Sequence, residues 1–138
     1  MIGTLPLTLV PLIVYNIFAF RLIGLDAGDP WLMPLLTVEM LSGARFTLTS
    51  GDVLVILAIA LLFGEVIKAT RIGAATLGDH FLSMLVFVVY LVEFLTVPVA
   101  AHSVFAILMV IAFIDVVAGF SVTIRTSRRD IGIGTRDL

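Results

Sequence analysis

Long apolar runs separated by short polar breaks dominate the chain, and four of them approach the roughly 20 residues that a helix needs to cross a hydrocarbon core. They cover about 4–24, 52–70, 79–99 and 102–124. The second is the shortest, because Glu65 and Lys68 interrupt its last turns. Only VAAHS separates the third from the fourth, which predicts a tight antiparallel connection. Pro98 supports that break, since proline lacks an amide hydrogen and disfavours helix in the residue before it. Pro6 and Pro11 are expected to kink or delay the first helix. The predicted fold is all-α: a polytopic membrane protein forming a four-transmembrane-helix antiparallel bundle. Residues 1–138 then make a single domain, with an outer amphipathic loop at 25–51 and a tail at 125–138.

The outer connection is too long for a simple turn. Its stretch WLMPLLTVEML reads as a surface or re-entrant helix in the headgroup region, with Trp31 as an interfacial anchor. GARFTLTSGD alternates like a short strand and then caps the next helix, and no sheet is needed to explain it. The second and third runs both open with T-x-G-D, as TSGD at 49–52 and TLGD at 76–79, a spacing that satisfies free amide hydrogens at a helix start. A glutamate follows each aspartate after 13 or 14 residues, which in oppositely directed helices has the form of an inverted repeat. Two good helix caps are the simpler source of the echo.

Composition agrees with the pattern. Of 138 residues, 61% are hydrophobic and 13% charged, with a mean hydropathy of +1.23; a soluble domain is about half apolar and a quarter charged. The absence of cysteine excludes disulfides, thiolate metal sites and thiol catalysis. A net charge of -2 suggests no nucleic-acid partner. The opening MIGTLPLTLV lacks a basic region, so the first run reads as retained rather than cleaved. Lys68 and Arg71 flank the connection between the second and third runs, and Arg125, Arg128, Arg129 and Arg136 follow the fourth, against only Arg21 and Arg45 on the other side. The positive-inside rule then puts both termini in the cytoplasm. Asp26, Asp29, Glu39 and Asp52 make the outer loop acidic.

Ionisable residues inside apolar runs are the default functional candidates, because a carboxylate in hydrocarbon costs several kcal/mol unless neutral, paired or facing water. Here they are Arg21, Glu65, Lys68, Glu93 and Asp115, with His80, Ser83, Tyr90, Tyr15 and Asn16 beside them. Arg21 and Glu93 share the outer half: either they pair, or Arg21 snorkels to the headgroups while Glu93 is protonated or bonded to a neighbouring helix. Glu65, Lys68 and Asp115 form an acid-acid-base group deeper in. Ala112 and Gly119 make the Asp115 face small and suited to close helix packing. His80, Ser83, Tyr90 and Glu93 fall on one stripe of the third helix, which either lines a water-filled path or turns into the bundle.

Catalytic readings find little support. His80 and His102 lie at opposite faces, and neither H-E-x-x-H, a nucleophile elbow, a phosphate loop nor a dinucleotide fingerprint occurs. No catalytic residue, metal site or cofactor is implied. IGIGT near the end reads as flexible, and SRRD as a basic patch for anionic headgroups. The runs GDVLVILAIALLFGEVIKATR and DHFLSMLVFVVYLVEFLTVP resemble small four-span inner-membrane proteins of bacteria, a group that brings no activity with it. Multidrug exporters of similar size carry their glutamate in the first span, where this chain has Tyr15 and Asn16, and vitamin K reductase-like chains need cysteines. Two functions remain: a non-enzymatic membrane subunit or scaffold that docks a protein partner or a copy of itself within the lipid bilayer, and a small proton- or cation-linked transporter or channel using Glu93, Asp115 and Glu65.

Overall fold

A computed structural model describes residues 5–24, 28–70 and 75–133 of the chain. It is mostly helical: α1 Leu9–Ala19, β1 Pro34–Glu39, β2 Arg45–Thr49, α2 Ser50–Ala69, α3 Ala75–Thr96, a short 3-10 turn Pro98–Ala100, and α4 Ser103–Ile133. Three of the helices are long and apolar enough to cross a membrane, over Ser50–Ala69, Leu77–Thr96 and Ser103–Val122. α4 packs along both α2 and α3, while α1 makes smaller contacts with α2 and α4. Below, the hairpin end is the end carrying β1 and β2, and the far end is the opposite one.

The first apolar run does not yield a fourth spanning helix. α1 has 11 residues, about 16 Å at 1.5 Å per residue, against a hydrocarbon core of about 30 Å. Its start is delayed as the prolines predict, with Pro11 in the first turn, where an amide hydrogen has no intrahelical acceptor to lose. Its end is a Schellman motif: Arg21 N–H donates to Phe18 O at 3.1 Å, Leu22 N–H donates to Ile17 O at 3.0 Å, and Arg21 adopts φ 54°.

The stretch expected to be a surface helix is a β-hairpin instead. β1 and β2 pair antiparallel with Leu36 opposite Leu48, Thr37 opposite Thr47, Val38 opposite Phe46 and Glu39 opposite Arg45. Gly43, at φ 80°, lets the chain reverse between them, and Pro34 stands at the first strand position, where proline is tolerated. The register puts Leu36, Val38, Phe46 and Leu48 on one face and the threonines and charged residues on the other, with a Thr37–Thr47 hydroxyl contact of 3.2 Å. Leu36, Val38 and Phe46 are exposed. The short strand expected within GARFTLTSGD is present but pairs in a two-stranded sheet that the sequence did not call for, and the cap that follows it is present: Thr49 and Asp52 form a complete capping box on α2. TLGD has no such role, since α3 begins at Ala75 and Thr76–Asp79 lie within its first turns.

The core runs along α4, with Phe105, Leu108, Ile111 and Ala112 against Leu54 and Ala58 of α2 and Val86 and Tyr90 of α3. Trp31 belongs to this core rather than to the interface: it is 4% exposed and stacks on Tyr15 at 4.6 Å, and Tyr15 meets the edge of Phe105 at 4.8 Å. Gly51 admits this packing, because a Cβ there would lie 2.8 Å from Val104 Cγ2 and 3.0 Å from Trp31 O. α4 continues through Ile133, into the stretch read from sequence as a tail. Asp26, Arg71 and Arg136, which enter the charge argument, lie outside the described residues.

Candidate functional site

A helix that starts inside a bundle brings its unsatisfied amide groups with it. The first N–H groups of any helix lack intrahelical acceptors, and in hydrocarbon no water replaces them. In this chain the first amides of α1 are met locally, Leu9 N–H by Pro6 O and Val10 N–H by Leu7 O at 3.1 Å each, and the turn that leads into the helix is held by side chains from three other helices. Leu7 N–H donates to Glu65 Oε1 from α2. The Thr8 hydroxyl, which makes no cap bond to its own helix, donates to Asp115 Oδ2 of α4 at 3.3 Å. Tyr90 of α3 donates from its hydroxyl to Thr8 O at 3.0 Å. Lys68 Nζ bridges the ends of this arrangement, 3.1 Å from both Glu65 Oε1 and Leu5 O.

Two carboxylates at a helix N-terminus are also electrostatically well placed, because the aligned peptide dipoles leave partial positive charge there. Glu65 and Asp115 are 6% and 5% exposed. Ser83 is buried too and lines the same small space as Asp115. His80 packs beside Phe120 at 5.5 Å and over Gly119, where a Cβ would come within 2.6 Å of His80 Nδ1. The space among Glu65, Lys68, His80, Ser83 and Asp115 is about 10 Å³, room for about one water.

The acid-acid-base group read from sequence is therefore assembled, and His80, Ser83 and Tyr90 join it from the stripe on α3. The stripe turns into the bundle, where His80, Ser83 and Tyr90 are all buried. Glu93 departs from it. The proposed Arg21–Glu93 pair does not form among the described residues: as the left-handed residue after α1, Arg21 lies beyond the helix and donates to Gly28 O at 3.3 Å. Glu93 instead lies with Asn16 in a groove between α3 and α1 of about 540 Å³, otherwise lined mainly by Phe20 and the valines of α3. Asn16 Nδ2 donates to Leu12 O at 3.1 Å. Glu93 Oε1 and Asn16 Oδ1 are both buried and have no hydrogen-bond partner among the described residues.

At the hairpin end, Asp29 accepts from Trp31 N–H at 2.9 Å and lies 3.0 Å from His102 Nε2. The Trp31 amide, helped by His102, holds the Asp29 carboxyl below its ordinary range. The Tyr15 hydroxyl donates to Val99 O at 2.7 Å, tying α1 to the turn before α4. Thr8 and the Asp29–His102 pair escaped the sequence reading: a lone threonine in an apolar run carries no signal, and 73 positions separate the pair.

No family model, curated protein or solved structure matches the chain.

Proposed function

We propose that the chain is a non-enzymatic integral membrane subunit or scaffold that docks a partner protein or a copy of itself through its helix faces. The observation that carries this reading is the saturation of the far-end cluster. Glu65 and Asp115 are committed to the start of α1, Lys68 to Glu65 and a backbone carbonyl, and the space left holds about one water. In transporters built from half-helices, an anionic substrate takes the place at the helix N-terminus. Here the chain's own carboxylates take it. The membrane we assign is the bacterial inner membrane, with Lys68 and Arg125 toward the cytoplasm, the hairpin outside and both ends of the chain directed toward the cytoplasmic face. The exposed apolar face of the hairpin then rests at the headgroup level.

Proton- or cation-linked transport is the second reading, and Glu93 with Asn16 is the observation that favours it. Reconstitution in liposomes separates the two. Scaffold function predicts proton and cation flux at background and recovery of the chain with a stoichiometric partner, or as an oligomer, from native membranes. Flux that Glu93→Gln or Asp115→Asn abolishes, with folding intact, would overturn it.

A further inference from the structure

The groove beside Glu93 lies between the C-terminal end of α1 and an exposed face of α3. Val88, Val89 and Val92 are exposed there, 45–53% each, and form a smooth apolar wall. Two oxygens interrupt it, Glu93 Oε1 and Asn16 Oδ1, neither of which has a hydrogen-bond partner among the described residues, although the Asn16 side chain stands close enough to act on the Glu93 carboxyl. Among the described residues no cation stands at this place: Lys68 serves Glu65 at the far end, Arg21 donates to Gly28 O, and Arg45 stands on the hairpin opposite Glu39. A second copy packed through this same face would bring the same two acceptors. We propose that this groove docks a transmembrane helix of a partner protein, and that the helix carries a lysine or arginine at the depth of Glu93. An ammonium or guanidinium supplies charge and several donors to the two oxygens at once, and its aliphatic stem packs on the valine wall. The apolar remainder of such a helix covers a surface that already suits close packing.

This assignment rests on the scaffold reading and names its partner's chemistry. The test uses the full chain in phosphatidylcholine–phosphatidylglycerol vesicles, labelled at Ser42→Cys in the hairpin turn, since the chain has no cysteine of its own. The probe is a leucine-rich transmembrane peptide with a lysine one turn in from each end, so that either orientation presents one at the level of Glu93; companions carry leucine or glutamate there. Energy transfer should report association about tenfold tighter for the lysine peptide than for the leucine peptide. Glu93→Gln should remove the preference and Glu93→Lys should transfer it to the glutamate peptide, a gain that misfolding cannot mimic. A photocrosslinker at Val89 should capture the lysine peptide. Equal binding of lysine and leucine peptides, a preference that survives Glu93→Gln, or Val89 crosslinks to a second copy would each overturn the assignment. A native partner that leaves Val89 accessible overturns it while the scaffold reading stands; ion flux in the same vesicles overturns the scaffold reading and is scored separately from peptide preference.

Discussion

Replacing Glu65 by leucine is the sharpest perturbation of the cluster, because one side chain serves both the Leu7 amide and the Lys68 ammonium. A buried amide left without an acceptor costs about 1–3 kcal/mol. Removing one member of a buried ion pair costs about 3–5 kcal/mol when the other charge stays buried. Lys68 is 22% exposed and can turn its head toward the surface, so the upper figure does not apply and the sum settles near about 3 kcal/mol. Glu65→Gln keeps one oxygen for the amide and should cost about 1 kcal/mol. Glu65→Leu with Lys68→Leu should cost less than the two single changes added, by about 1–2 kcal/mol, because the stranded ammonium is gone. Trp31 is the single tryptophan, buried against Tyr15 of α1, so its emission reports whether α1 stays seated. Unfolding by SDS in mixed micelles, followed by Trp31 emission and by far-ultraviolet dichroism, gives the free energies. A Glu65→Leu protein within about 0.5 kcal/mol of wild type, or strictly additive single changes, would refute the claim that this cluster holds the turn leading into α1.

Three further changes probe the hairpin end, and one acid titration probes its loop. Tyr15→Phe removes the bond to Val99 O while leaving the ring stacked, so stability should fall by about 1 kcal/mol with Trp31 emission unmoved. Thr49→Ala should cost about 1 kcal/mol and speed hydrogen exchange at the Asp52 amide, the bond the Thr49 hydroxyl makes. Arg21→Gly should stabilise by up to about 1 kcal/mol, since glycine adopts the left-handed conformation without penalty and the bond lost to Gly28 O is exposed. Because the Asp29 carboxyl is held below its ordinary value, its contribution to the loop is fully present above the usual carboxylate range and is lost as pH falls through the lowered value. Trp31 emission should show that acid step in the wild type, and Asp29→Asn should lack it.

Much of this protein is written in periodicity alone. Apolar runs of spanning length mark α2, α3 and α4 because a helix in hydrocarbon must be apolar over its whole circumference, a requirement that needs no knowledge of neighbours. Thr49 and Asp52 are legible for a similar reason: a capping box is closed within four residues. The hairpin was missed because Leu35 and Leu36 break the alternation of β1, and only the register with β2 sorts its residues into two faces.

The charged residues divide along the same line. Glu65 and Lys68 sit three positions apart on one helix, so their pairing follows from helical geometry before any fold is known. What Glu65 does with its other contact depends on a helix start 58 positions away. The first run looked long enough to cross because hydropathy counts side chains and says nothing of where a backbone begins or ends its helix. The Schellman turn at Arg21 and the late start at Leu9 shorten α1 to 11 residues. That tertiary arrangement sets Glu65 and Asp115 against the turn that leads into α1, carries Arg21 beyond the helix to Gly28 O, and leaves Glu93 beside Asn16 in a groove. Sequence by itself determined that the chain carries runs long and apolar enough to cross a membrane and which charges lie within them; only packing decided which of those charges are answered from within, because hydrogen bonds are made between positions that the chain order keeps far apart.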